Sequence, residues 1–155
     1  MLVQIPIPAT GGYANLGDGI ILVCAFLIDL PCAIAAAGLG SMLADLLAGY
    51  IAYAPGTLVI KAMVAGIAGW LFSRLTRSTQ RSLILMITAG VLAEIFMVLG
   101  YFLYESVVLG MGLGALGAII GNIGQGAVGV FISCAVAPFL MRSDELRDLI
   151  KKTKR

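Results

Sequence analysis

The chain has no histidine, and its three cysteines, Cys24, Cys32 and Cys134, stand in apolar surroundings without Cys-x-x-Cys spacing. A zinc site or a histidine-based triad is thereby excluded, and the cysteines read as small packing residues. Charge is equally scarce. Asp, Glu, Lys and Arg make up 12% of the 155 residues, against about 25% in a soluble domain. With 61% hydrophobic residues and a mean hydropathy of +1.06, charge cannot cover the surface, so lipid must be the solvent. The first residues carry no basic run, so no cleaved signal peptide is expected. No nucleophile–base pair, Walker motif or metal-ligand cluster appears, and the Gly110-x-Gly-x-Gly fragment follows no strand. Neither a catalytic residue nor a metal, cofactor or nucleic-acid partner is expected.

What is present is a series of apolar segments. Leu16–Ile28 is short against the roughly 17–25 residues of a membrane span. Asp29-Leu30-Pro31 breaks it, with Asp29 placed to cap the next helix and Pro31 in its first turn. Cys32–Ala48, Thr57–Ser73, Ser82–Tyr104 and Leu113–Met141 follow, giving an all-α polytopic bundle of five segments. Of ten Lys and Arg, only Lys61 lies outside two clusters: Arg74, Arg77 and Arg81, and the tail from Arg142 to Arg155. By the positive-inside rule both clusters face the cytoplasm of a plasma-membrane protein. Counting back places three polar connections on the external face, near residues 1–18, 49–56 and 105–112. Residues 1–141 are then a membrane-embedded binding domain and residues 142–155 a basic cytoplasmic tail. Leu146, Leu149 and Ile150 share one face of that tail, which suits either an interfacial amphipathic helix or a solvated end. Gly and Ala recur through the apolar segments, where small residues let helix backbones approach closely.

Ionisable groups within a span cost roughly 2.5–3.5 kcal/mol or more at its centre, which makes each a candidate for function. Glu94 lies near the middle of its segment, and Val98, Tyr101 and Glu105 follow it at helical spacing on one face. Lys61 either snorkels to the surface or faces an external cavity. Asp18 is a helix cap, a ligand contact, or both. Asn122 and Gln125 share a face and serve either as interhelical glue or as readers of a ligand's heteroatoms. Tyr50, Tyr53 and Tyr101 suit an interfacial belt or the wall of a flat ligand's site.

The ordered motifs together resemble substrate-specificity (S) components of energy-coupling factor (ECF) transporters, in the riboflavin-transporter-like branch. They are Ile5-Pro-Ile-Pro-Ala-Thr-Gly-Gly-Tyr-Ala-Asn-Leu-Gly-Asp18, Gly40-Ser-Met-Leu-Ala-Asp-Leu-Leu-Ala-Gly-Tyr50, Tyr53-Ala-Pro-Gly-Thr-Leu-Val-Ile-Lys61, Glu94-Ile-Phe-Met-Val-Leu-Gly-Tyr-Phe-Leu-Tyr-Glu105 and Gly121-Asn-Ile-Gly-Gln125. The resemblance implies a non-enzymatic subunit that captures a water-soluble vitamin or precursor: riboflavin, hydroxymethylpyrimidine or a pyridoxine-like molecule. Its implied partners are an ECF membrane coupling subunit and a cytoplasmic ATPase pair. It also implies a six-helix fold whose first helix precedes the Ile5–Pro8 motif, and that helix has no counterpart between Met1 and the motif. The expected substrate-binding residues are Asn15, Asp18, Tyr53, Lys61, Glu94, Tyr101, Glu105, Asn122 and Gln125. The competing reading is a structural or assembly membrane protein without a ligand.

Overall fold

The computed structural model describes residues 4–7, 12–76 and 82–142. A small antiparallel hairpin comes first, β1 (Gln4–Ile7) with β2 (Gly12–Asn15), pairing Gln4 with Asn15 and Ile7 with Gly12. Five α-helices follow: α1 (Gly17–Leu27), α2 (Leu30–Ala48), α3 (Ala54–Thr76), α4 (Ser82–Leu103) and α5 (Leu116–Arg142). The membrane part is all-helical, as expected from composition. The hairpin replaces the irregular loop expected at the start. The expected tail helix and the residues Arg77 and Arg81 lie outside the described residues.

Helices α2 to α5 are long and apolar enough to cross a membrane, whereas α1 is not. At 1.5 Å per residue, the 11 residues of α1 reach only about 16 Å. Its position accounts for its length. Asp18, in the first turn of α1, meets Lys61, which lies seven residues, or about 10 Å, into α3. The helix therefore starts inside the bundle rather than at its end, and the hairpin, packed on α5, lies before it.

The breaks between helices have local causes. Ile28 is extended after α1, Asp29 takes the N-cap position of α2 and Pro31 sits in its first turn. Asp29 makes no side-chain capping bond, so the proline and the extended residue set this boundary. Gly49 ends α2 in the left-handed region at φ +86°, and the Tyr50 N–H reaches back to the Asp45 carbonyl. Gly49→Ala is expected to lower stability by about 1 kcal/mol, because a Cβ is disfavoured at that φ. The check is the unfolding midpoint in mixed micelles. Pro55 lies within the first turn of α3, where its missing N–H costs nothing, so the helix starts at Ala54 rather than at Thr57. Nor does α4 give way to a loop at Glu105. It continues as a π-helical turn over Tyr104–Val108, with the Leu109 N–H bonded to the Tyr104 carbonyl, and a 3₁₀ turn over Gly112–Ala115 leads into α5.

The core holds Leu22, Val64, Met86 and Met97, with Ala65, Ala68, Ala89 and Ala93 between them. The outside is apolar as well, and Leu47, Ile120, Phe131 and Phe139 are all strongly exposed. Such a surface is stable only in hydrocarbon, and this is a multi-pass membrane protein. Close approach of the helices depends on glycine. A Cβ on Gly129 would stand 2.8 Å from the Asp18 Cβ, and one on Gly126 would stand 2.9 Å from the Glu94 Cβ. Gly19 likewise leaves room for Ile132, whereas Gly40, Gly114 and Gly124 face open space.

Candidate functional site

Four helices bring their polar residues to one place. On α3, Tyr53, Thr57 and Lys61 recur every four residues and so form a stripe down one face, Tyr53 standing just before the first turn. On α4 the stripe is Glu94, Tyr101 and, in the π-helical turn, Glu105. On α5 it is Asn122 and Gln125, one turn apart. Asp18 enters from α1.

At the deep level the Lys61 ammonium donates to Asp18 Oδ1 at 2.5 Å, and the Gln125 amide donates to Asp18 Oδ2 at 2.5 Å. Both carboxylate oxygens of Asp18 are thus engaged, by partners 43 and 107 residues away in the chain. Lys61 and Asp18 are 1% and 0% exposed. Lys61 therefore does not snorkel. Asp18 sits within the first turn of α1, where the positive end of the helix dipole favours its carboxylate alongside Lys61. The Lys61 ammonium also lies 5.3 Å from the centre of the Tyr101 ring, a cation–π contact.

One level nearer the end of the bundle, Tyr101 and Thr57 share a hydrogen bond of 3.0 Å. At the end itself Tyr53 donates to Glu105 at 3.3 Å, and Tyr104 donates to the Ala52 carbonyl at 2.7 Å. The rings of Tyr50, Tyr53 and Tyr104 pack in sequence, and the face of Tyr104 lies over Gly56. The π-helical turn shifts the register at the end of α4 just where these contacts form.

Asn122, one turn before Gln125 on α5, is buried. Glu94 is 5% exposed and lies close enough to Asp18 and Lys61 to feel both charges, yet neither of its oxygens has a hydrogen-bond partner among the described residues. Asn15 is placed by its backbone alone, as the last residue of β2. The structure thus gathers Asp18, Lys61, Tyr101 and Gln125 into one bonded or stacked cluster. Tyr53 and Glu105 form a second pair at the end, and Glu94 borders the first cluster without bonding to it.

Three polar residues were missed. Thr57 lies one turn from Lys61, so its spacing was readable. Tyr104 was masked by the expectation that the helix ended there. Asp45 is 4% exposed within apolar α2, which is the same signal that singled out Glu94.

Residues 1–142 match the family described as ECF-type riboflavin transporter, S component. The chain belongs to this family. It is also 42% identical over 132 residues to the "uncharacterized protein in gap 3′ region" of Pyrococcus woesei, an alignment that spans 85% of this chain and 84% of that one. The match covers every described helix of this S component, including the whole polar stripe of α3, α4 and α5. S components as a family serve vitamin uptake together with an ECF module, which accords with a buried polar cluster inside a bundle whose outer surface is apolar.

Proposed function

We propose that this S component captures a riboflavin-type water-soluble vitamin at the end of the bundle that carries Tyr53 and Glu105. It would pass the vitamin inward with an ECF coupling subunit and its ATPase pair, without catalysing a reaction of its own. The observation that carries the proposal is the convergence of α1, α3 and α5 at Asp18, Lys61 and Gln125. Charged and amide groups sealed in a membrane bundle are costly unless a function retains them. Asn122 and Tyr101 add a donor, an acceptor and one aromatic face to the cluster, which suits a flat heteroaromatic ring with several hydrogen-bonding positions. In this reading the ligand exchanges its own contacts for some of those now made within the cluster. Tyr53, Glu105 and Asn15 stand on the path to it.

Arg74 closes α3 at the opposite end, and Arg142 closes α5 there. The positive-inside rule then puts that end and the tail of residues 142–155 in the cytoplasm and the tyrosine end outside. Residues 1–141 form the binding domain in this reading.

One observation favours the competing structural reading: Asp18, Lys61 and Gln125 already satisfy one another. Two measurements separate the readings. A riboflavin-type vitamin at 100 times its dissociation constant should raise stability by about 2.7 kcal/mol. If no vitamin in a broad panel shifts the unfolding of the purified protein, capture is refuted. Asn122→Leu should weaken vitamin binding at least about tenfold, or about 1.4 kcal/mol, while changing stability much less. An equal loss of both would identify the cluster as structural glue.

A further inference from the structure

Helices α4 and α5 enclose a groove of about 550 Å³ that is separate from the bonded cluster and opens towards the bilayer side of the bundle. Its walls run from Val91 to Leu99 on α4 and from Ile123 to Val130 on α5. All are apolar apart from Glu94. Val91, Ile95, Leu99 and Ile123 on its rim are exposed large hydrophobic residues, so the groove is reached from hydrocarbon. Its volume lies within the roughly 300–1,000 Å³ of small-molecule sites.

Glu94 is a deeply buried member of this wall, and its carboxyl has no hydrogen-bond partner among the described residues. The charged donor within electrostatic range, Lys61, is committed to Asp18. Buried carboxyl groups without partners are rare, because desolvating one is costly unless a donor meets it. A ligand that brings an N–H or O–H to this point removes that cost.

The dimensions decide what kind of occupant fits. From Val91 to Leu99 is eight residues, or about 12 Å of helix. A docked transmembrane helix would need a track nearer 30 Å long. The lining residues span little more than two turns of each helix, which suits a compact molecule. We propose that the α4–α5 groove is a lateral binding site for a compact, mostly apolar, membrane-soluble molecule that presents one hydrogen-bond donor to Glu94. It is distinct from the vitamin site in chemistry and in route of entry, and it does not depend on the vitamin reading.

Carbazole and dibenzofuran test this, because they share one shape and differ by an N–H in place of an ether oxygen. Fluorescence titration of the full chain in lipid–detergent micelles should show saturable carbazole binding. Competition should show dibenzofuran at least about tenfold weaker, the equivalent of one hydrogen bond. Glu94→Met should bring the two probes to equal affinity. Ala127→Phe, which fills the groove from an exposed position, should abolish saturable binding of both without moving the unfolding midpoint. Equal affinities in the unmodified protein, partitioning that does not saturate, or carbazole binding that survives Ala127→Phe would each overturn the proposal. So would loss of vitamin binding in Ala127→Phe, since the groove would then belong to the vitamin site. Should Glu94→Met fail to fold, the probe pair and Ala127→Phe still decide.

Discussion

Lys61→Met is expected to destabilise the bundle by about 3–5 kcal/mol, the cost of leaving one partner of a buried ion pair uncompensated. The ammonium is 1% exposed, and Asp18, to which it bonds, is fully buried. With Lys61 gone, the hydrogen-bond partner left to Asp18 among the described residues is the Gln125 amide. The double substitution Asp18→Asn with Lys61→Met should recover most of the loss. An asparagine carbonyl still accepts from Gln125, and no unpaired charge remains. This non-additivity is the signature to measure, because independent sites would sum. Unfolding midpoints in mixed micelles for the two single variants and the double variant provide the cycle. A Lys61→Met protein within 1 kcal/mol of the parent would show that the pair contributes no net stability.

Gly129→Leu is expected to be nearly as severe, at about 3 kcal/mol or slightly more, the upper end of the overpacking range. The added Cβ would stand 2.8 Å from the Asp18 Cβ and 3.3 Å from both the Asp18 carbonyl carbon and the Gly19 nitrogen. Two of these three are backbone atoms, so no rotamer change relieves the clash and α1 must move away from α5. Because α1 carries Asp18 and α5 carries Gln125, the same displacement pulls the cluster apart. Vitamin binding should therefore fall at least about a hundredfold, or about 2.7 kcal/mol, even in the fraction that folds. Gly124→Leu is the control. Gly124 has open space around it on the same helix, so that substitution should leave both stability and binding close to the parent.

These two experiments rest on different parts of the structure. The first tests whether charge pairing holds the centre of the site. The second tests whether the helix spacing set by glycine positions it. A loss of vitamin binding in Gly129→Leu with intact binding in Gly124→Leu would tie the site to the α1–α5 contact specifically.

Much of this was legible in the chain itself. A hydropathy of +1.06 with 12% charge leaves no soluble solution, and four of the five apolar segments are long enough to span. The helix faces were also readable. Glu94, Tyr101 and Glu105 recur at helical spacing, as do Asn122 and Gln125, and a polar group in a lipid-solvated helix has to turn inward to find a partner. The limits of local reading show at α1 and at the end of α4. By its residues alone α1 is too short for a normal span, and α4 is finished at Glu105. Local periodicity carries no sign of a helix that starts within the bundle, or of one that changes hydrogen-bond register and continues.

By itself, then, the sequence determined the solvent, the number of apolar helices and the inward faces of α4 and α5, because composition and a 3.6-residue period encode those directly. Only the tertiary structure decided which inward faces meet. It joined Asp18 to Lys61 and Gln125, put Tyr53 against Glu105, buried Asp45, and turned Glu94 to the wall of the α4–α5 groove rather than into the bonded cluster. The reason is that helix periodicity fixes direction about one axis only. The depth and spacing of one helix against another are set where backbones can touch, at Gly126 and Gly129, and that depends on both helices at once.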